Sequence, residues 1–221
     1  RLFAPFAICN RTLAQRHYNS RMPLPLTVAI LAGGQSSRMG TDKSFVRVLG
    51  RPLIEDLLAQ LGGLGAETLI ITNRPADYAY LGVPLFGDVL PGKGALGGLY
   101  SAVSCAQQPH VLCVACDMPF VVPPLLDHLI SLIPEGDAIV PRLAGEAEPF
   151  RAIYSRACLP AMQAALEAGK MRVISFFPAV RVRFVDEAEL DRFDPQHLSF
   201  FNVNTPEDLE TARRLAGAGP T

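Results

Sequence analysis

From residue 27 onward, short apolar runs alternate with longer segments of helical periodicity. TVAIL (27–31) is a continuous apolar run that ends in two glycines. Such a run fits a strand covered on both faces. RPLIEDLLAQLGGLG (51–65) predicts a helix: Pro52 suits a first turn, Leu53, Leu57, Leu58 and Leu61 share one face, and Gly62–Gly63 stop it. ETLIIT, VPLF and HVLCVAC read as further strands, ending near Asn73, Asp88 and Asp117. ALGGLYSAVSCA and PPLLDHLISLI read as helices between and after them. The first 135 residues therefore read β-loop-α-β-(β)-α-β-α, the order of a doubly wound, mostly parallel α/β sheet.

The second half is less regular. DAIVPRL and FRAIYS read as strands around the loop LAGEAEP, LPAMQAALEAG as a helix, and AVRVRFVDEAEL as an alternating strand with Arg181 and Arg183 on one face. In FFNVNTPEDLETARRLAG a final helix opens at Pro206, with Thr205 at its cap and Asp208 three residues on.

Open parallel sheets bind ligands outside the carboxyl ends of their strands. Four features fall there: the loop from Gly33 to Lys43, Asn73, Asp88 and Asp117. In ILAGGQSSRMGTDKS (30–44), Gly33 and Gly34 allow close backbone approach, Arg38 offers a planar fork and Lys43 a point charge. That is phosphate chemistry. The spacing is not that of the dinucleotide fingerprint or of the P-loop. GDVLPGKG (87–94) imitates a P-loop but puts Gly94 where a metal-binding hydroxyl is needed.

Composition bounds the rest. The 221 residues, 49% of them hydrophobic, can form one core without disulfides. A net charge of −1 gives no polyelectrolyte footprint for nucleic acid. No apolar run approaches the roughly 18–20 residues of a membrane span. The five cysteines show no regular framework, as expected of reduced thiols in a cytoplasmic protein. Cys113 and Cys116 form C-x-x-C inside an apolar strand, where residues three apart face opposite ways, so metal binding is not expected there. The histidines lack ligand spacing. Residues 1–24 carry Arg1, Arg11, Arg16 and Arg21 and no acid. This is the composition of a transit peptide, or of an extension upstream of a protein proper that starts at Met22. The expected organisation is an extension (1–24), one domain (25–216) and a tail (217–221).

LAGGQSSRMGTDKSFVRVLGRPLIE (31–55) resembles the entry motif of sugar-phosphate nucleotidyltransferase-like enzymes, L-A-[GA]-G-x-S-x-R-M-G-x-x-K followed by G-[RK]-P-L. CDMPFV (116–121) is similar to their acidic motif and GALGGL (94–99) to their G-P-L-[AG]-G-[IL] turn. FFNVNTPEDL (200–209) resembles the N-[VI]-N-T-P-E-[ED]-L ending of the molybdenum cofactor guanylyltransferases. Relatives that make the cytidine form more often read L-A-A-G and D-[IV]-D-T-P-E. Gly33, Asn202 and Asn204 favour the guanylyl branch.

The resemblance implies a Rossmann-like nucleotidyltransferase fold that moves GMP from GTP to molybdopterin, with or without molybdenum, and releases pyrophosphate. It implies that Leu31, Ala32, Gly33 and Gly34, with Lys43, Asn73 and Asp88, bind the nucleotide. Asp117 would hold Mg²⁺, and Arg38, Lys43 and Asp117 would be catalytic. A phosphate nucleophile is already ionised, so no strong general base is needed. Asn202, Asn204 and Arg172 are expected on the pterin side; Arg172 lies in AGKMRV, which resembles the family's A-G-[EK]-x-R-[VL]. Arg151, Lys170, Arg181 and Arg183 are further candidates for the pterin phosphate, although Arg151 in EAEPFRAIY stands where related chains vary. Transient contact with molybdoenzyme maturation proteins is a further expectation. The alternatives are a cytidylyl- or sugar-phosphate nucleotidyltransferase and a non-catalytic nucleotide-binding adaptor.

Overall fold

The structure, a computed structural model, describes residues 22–33, 43–48 and 50–217. The expectations for the N-terminal extension before Met22, for Gly34 and Arg38, for the side chain of Lys43 and for the last four residues lie outside the described residues.

Among the described residues eight strands form one sheet: β1 (Leu24–Leu31), β2 (Gly65–Ile71), β3 (Leu85–Phe86), β4 (His110–Ala115), β5 (Ala138–Leu143), β6 (Glu146–Ala147), β7 (Arg151–Ser155) and β8 (Val182–Asp186). The order is β3-β2-β1-β4-β7-β5-β6, with β8 on β5. β1 pairs in parallel with both β2 and β4, so Ile30 sits between Ile70 and Val114. β7 enters antiparallel beside β4, pairing Arg151 with Val114. The sheet is thus parallel in its first half, with an antiparallel strand let in after β4.

The longer helices are α1 (Leu53–Leu61), α3 (Gly94–Cys105), α4 (Pro123–Ser131), α5 (Leu159–Glu167) and α7 (Pro206–Leu215); α2 (Pro75–Tyr78) and α6 (Glu187–Leu190) are single turns. They cover both sheet faces, which is why the central strands read as unbroken apolar runs. Alternation divides those strands between two cores. Leu26, Val28, Ile30, Leu112 and Val114 join α1, α4 and α7. Ala29, Val111 and Cys113 join α3 and α5. Cys113 and Cys116 lie in different cores, as the strand period requires.

Two local devices close the second half. Ala144 and Gly145 both have positive φ (49° and 83°) and join β5 to β6 as a two-residue hairpin loop, with Leu143 opposite Glu146. At α7, Asp208 N–H donates to Thr205 Oγ1 (3.1 Å), and the Asp208 carboxylate accepts from Thr205 N (2.9 Å) and Asn204 N (2.9 Å). The predicted cap is therefore a full capping box.

Candidate active site

The carboxyl ends of β1, β2, β3 and β4 meet along one edge. At the end of β1, Ala32 is buried and Gly33 exposed. Among the described residues, a Cβ on Gly33 would meet nothing nearer than Thr72 Cα at 3.9 Å. Just past β2 and β3, Asn73 and Asp88 exchange two hydrogen bonds. Asn73 Nδ2 donates to Asp88 Oδ2 (2.8 Å), and Asp88 N donates to Asn73 Oδ1 (3.0 Å). Asp88 Oδ1 and the Leu31 side chain both face Gly98 on α3, where a Cβ would lie 3.9 and 3.4 Å from them. Leu31, Asn73 and Asp88 are thereby brought together. Ser101 holds the intervening turn, accepting from Val89 N (2.9 Å) and donating to Gly97 O (2.8 Å).

Asp117 sits half-buried in the turn after β4. Its flanks tie two regions together. Cys116 N donates to Leu31 O (3.1 Å), and Val203 N donates to Asp117 O (2.8 Å). Val203 is buried between half-buried Asn202 and exposed Asn204. Asn202 Nδ2 donates to Phe200 O (3.1 Å), and the helix cap falls to Thr205 rather than Asn204.

Arg172 reaches the same edge from the opposite face. Leu96 N donates to Met171 O (3.1 Å), which sets Arg172 beside the start of α3. Asn202 and Asn204 instead approach from the face of α4 and α7, where Val203 joins the core. The residues expected on the pterin side thus flank the strand ends rather than cluster.

The other cations fare differently. Arg151 is fully buried, so it cannot meet a pterin phosphate directly; this corrects the expectation. Arg181 pairs with Asp137 (3.4 Å), and Arg183 with Glu135 (2.9 Å) and Glu189 (2.9 Å). Arg181 immediately precedes β8 and Arg183 is its second residue; the strand runs parallel to β5. Lys170 is exposed.

Two residues, Ser44 and Gln60, and the true surroundings of a third, Arg151, escaped the sequence reading. Ser44 follows Lys43 and is buried, with its hydroxyl hydrogen-bonded to Tyr78 and Cys116. That anchors the end of the Gly-rich loop beside Asp117. Gln60 is buried on α1 and donates to Pro119 O (3.1 Å). It stands seven residues after Leu53, where the helical period expects an apolar side chain. Arg151 donates to Met118 O, Phe120 O and Ser199 O. A charged residue opening an otherwise apolar strand was its only signal.

Burial disfavours the thiolate form of Cys113 and Cys116. Burial pushes Cys116 up to about 12, with Ser44 partly opposing, and raises Cys113 further still. Burial also raises the Glu148 carboxyl, just before β7. Among the described residues no group of three His, Cys, Asp or Glu side chains could cage a metal. A lone carboxylate at a strand end instead fits a hard cation completed by water and phosphate oxygens. No helix among the described residues is long and apolar enough to cross a membrane.

Residues 28–182 match the model of the MobA-like NTP transferase domain. The chain is 37% identical over 193 residues to a probable molybdenum cofactor guanylyltransferase of Pelotomaculum thermopropionicum, covering 87% of this chain and 94% of that one. It is 33% identical to the molybdenum cofactor guanylyltransferase of Desulfosudis oleivorans, covering 88% and 97%. Among solved structures, molybdopterin-guanine dinucleotide biosynthesis protein A of Archaeoglobus fulgidus superposes with a TM-score of 0.76 at 27% identity, covering 86% of this chain and 98% of that one. The 2-C-methyl-D-erythritol 4-phosphate cytidylyltransferase of Thermus thermophilus shares the fold (TM-score 0.65, 20% identity, 86% and 98% covered).

Proposed function

The chain belongs to the MobA-like NTP transferases, and from that premise we propose that it is a molybdenum cofactor guanylyltransferase: it transfers GMP from GTP to molybdopterin and releases pyrophosphate. One observation carries the reading. The turn of Asp117 is bonded on one side to Leu31 of the nucleotide loop and on the other to Val203, between Asn202 and Asn204. This supports the reading in which the nucleotide loop and the acceptor segment are both tied to the main chain that carries the Asp117 carboxylate.

In this reading the backbone of Leu31–Gly34 and the Asn73–Asp88 pair hold the nucleotide, while Arg38 and Lys43 hold its phosphates. Enzymes of this family use a divalent metal, and here Asp117 would hold Mg²⁺ together with phosphate oxygens. When bound, the ion would neutralise charge between two anionic substrates and on the departing pyrophosphate. Asn202, Asn204 and Arg172 present the pterin, whose terminal phosphate oxygen attacks the α-phosphorus of GTP as the bond to the β-phosphate breaks. Lys43 and Arg38 stabilise the charge that develops on pyrophosphate. The cytoplasm is the matching compartment, supported by four free thiols among the described residues. Molybdoenzyme maturation proteins would take the product.

The test is pyrophosphate release from the purified protein with Mg²⁺ and molybdopterin, comparing GTP, CTP and ATP. Release confined to GTP is expected. Release with CTP alone moves the protein to the cytidylyl branch. Nucleotide binding without release, with competent pterin, identifies a non-catalytic adaptor.

A further inference from the structure

Four consecutive carbonyls after β4 are taken by donors from three separate places in the chain. Asp117 O accepts from Val203 N (2.8 Å). Met118 O and Phe120 O accept from Arg151 Nη2 (3.0 and 3.2 Å). Pro119 O, between them, accepts from Gln60 Nε2 (3.1 Å). The turn that carries Asp117 is thus held carbonyl by carbonyl.

Arg151 does more than hold that turn. Its Nε donates to Ser199 O (3.1 Å), at the root of the Phe200–Asn204 segment. One planar guanidinium therefore spans the segment bearing Asp117 and the segment bearing Asn202 and Asn204. Its side chain is 0% exposed, and the three acceptors named are all main-chain carbonyls. Burying a guanidinium carries a desolvation cost that an apolar side chain of similar volume would avoid. What an apolar side chain lacks is a rigid fork that fixes two segments at a set separation. Bringing two substrates into line is where a transfer enzyme gains most from such rigidity.

We propose that Arg151 is a positioning residue: its guanidinium sets Asp117 relative to Asn202 and Asn204, so that the nucleotide and acceptor halves of the site are aligned before the substrates arrive. The proposal rests on the guanylyltransferase reading of those residues. Gln60 steadies the Asp117 turn alone, whereas Arg151 couples that turn to the acceptor segment.

The experiment compares Arg151→Lys, Arg151→Met and Gln60→Leu with the unaltered protein. Folded fraction, amide hydrogen exchange without substrates, and kcat and KM for GTP and molybdopterin are measured. Both Arg151 variants should speed exchange in residues 116–121 and 199–204 together, by about tenfold, with the β4 amides unchanged. Gln60→Leu should speed exchange in 116–121 only. Per folded molecule, kcat should fall at least about tenfold in Arg151→Met and clearly in Arg151→Lys, with KM for GTP within about twofold.

Wild-type kcat in Arg151→Lys would show that only the buried charge matters and would overturn the proposal, as would loosening of a single segment. If Arg151→Met does not fold, the Lys variant decides. If neither folds while Gln60→Leu does, Arg151 serves folding alone and the proposal falls. An unaltered protein that releases no pyrophosphate overturns the enzymatic reading instead, and the paired exchange pattern still reports whether Arg151 couples the segments.

Discussion

Asn73 and Asp88, fifteen residues apart, clasp each other through two hydrogen bonds, one from the side-chain amide and one from the backbone. Each strand end therefore fixes the next. In the proposed reading the two residues would act as one unit in binding nucleotide. Asn73→Ala and Asp88→Ala should each raise KM for GTP by roughly tenfold, and the double variant should cost little more than either single one. A double-mutant cycle on KM, with a coupling of about 1 kcal/mol or more, checks this.

Asp117 is half-buried in a turn whose main chain is held independently of its carboxylate. Asp117→Ala should lower turnover by at least about a hundredfold while Tm moves by only a few degrees. Chelating divalent ions should have the same effect on the unaltered protein, reversed by adding Mg²⁺. Unchanged turnover in the variant would remove the metal role.

Ala144 takes φ 49° at the β5–β6 hairpin, beside Gly145 at φ 83°. A non-glycine residue in that region is strained, and this loop type favours Asn followed by Gly. Ala144→Asn should stabilise the protein by about 0.5 kcal/mol. Denaturant unfolding with an unchanged m-value is the check.

Glu189 joins α6 to its surroundings, meeting His128 Nε2 at 2.7 Å and Arg183 Nη2 at 2.9 and 3.0 Å. Burial raises its carboxyl, but the bonds from His128 and Arg183 outweigh that and hold it below the usual range. A depressed carboxyl stabilises the fold above its unfolded value and ceases to do so as pH falls through the folded one. Glu189→Gln should therefore be less stable than the unaltered protein at pH 7, by about 1–2 kcal/mol. The gap should begin to close below about pH 4, where the unfolded chain takes up its proton first, and vanish as pH falls through the lower folded value. Urea unfolding across pH 3–7 measures it.

The elements were legible because each carries its own period. β1 and β4 are unbroken apolar runs, the α1 leucines repeat at helical spacing, and the Thr205–Asp208 cap is local chemistry. Asn73, Asp88 and Asp117 were legible as polar residues at the ends of such runs. Arg151 was not. Its partners lie 31 to 48 residues away, and only the insertion of β7 against β4 brings them together. A charged side chain in sequence reads as a surface charge or a ligand for phosphate, and nothing local reveals that carbonyls surround it. Gln60 and Ser44 escaped for the same reason. The separation of Arg172 from Asn202 and Asn204 follows from which sheet face each segment crosses, which sequence order does not state.

The place of β1 in the sheet bears on how the chain is made. β1 is synthesised before both β2 and β4, yet it lies between them, and its partner β4 ends at Ala115. A growing chain can pair β1 with β2 early, but the other edge of Leu24–Leu31 stays bare until some eighty further residues have left the ribosome. An apolar strand with an open edge invites pairing with other chains. Emergence of His110–Ala115 covers that edge and passes the open one to β4 until β7 pairs with it, and the same pairing brings the Leu31 carbonyl to Cys116.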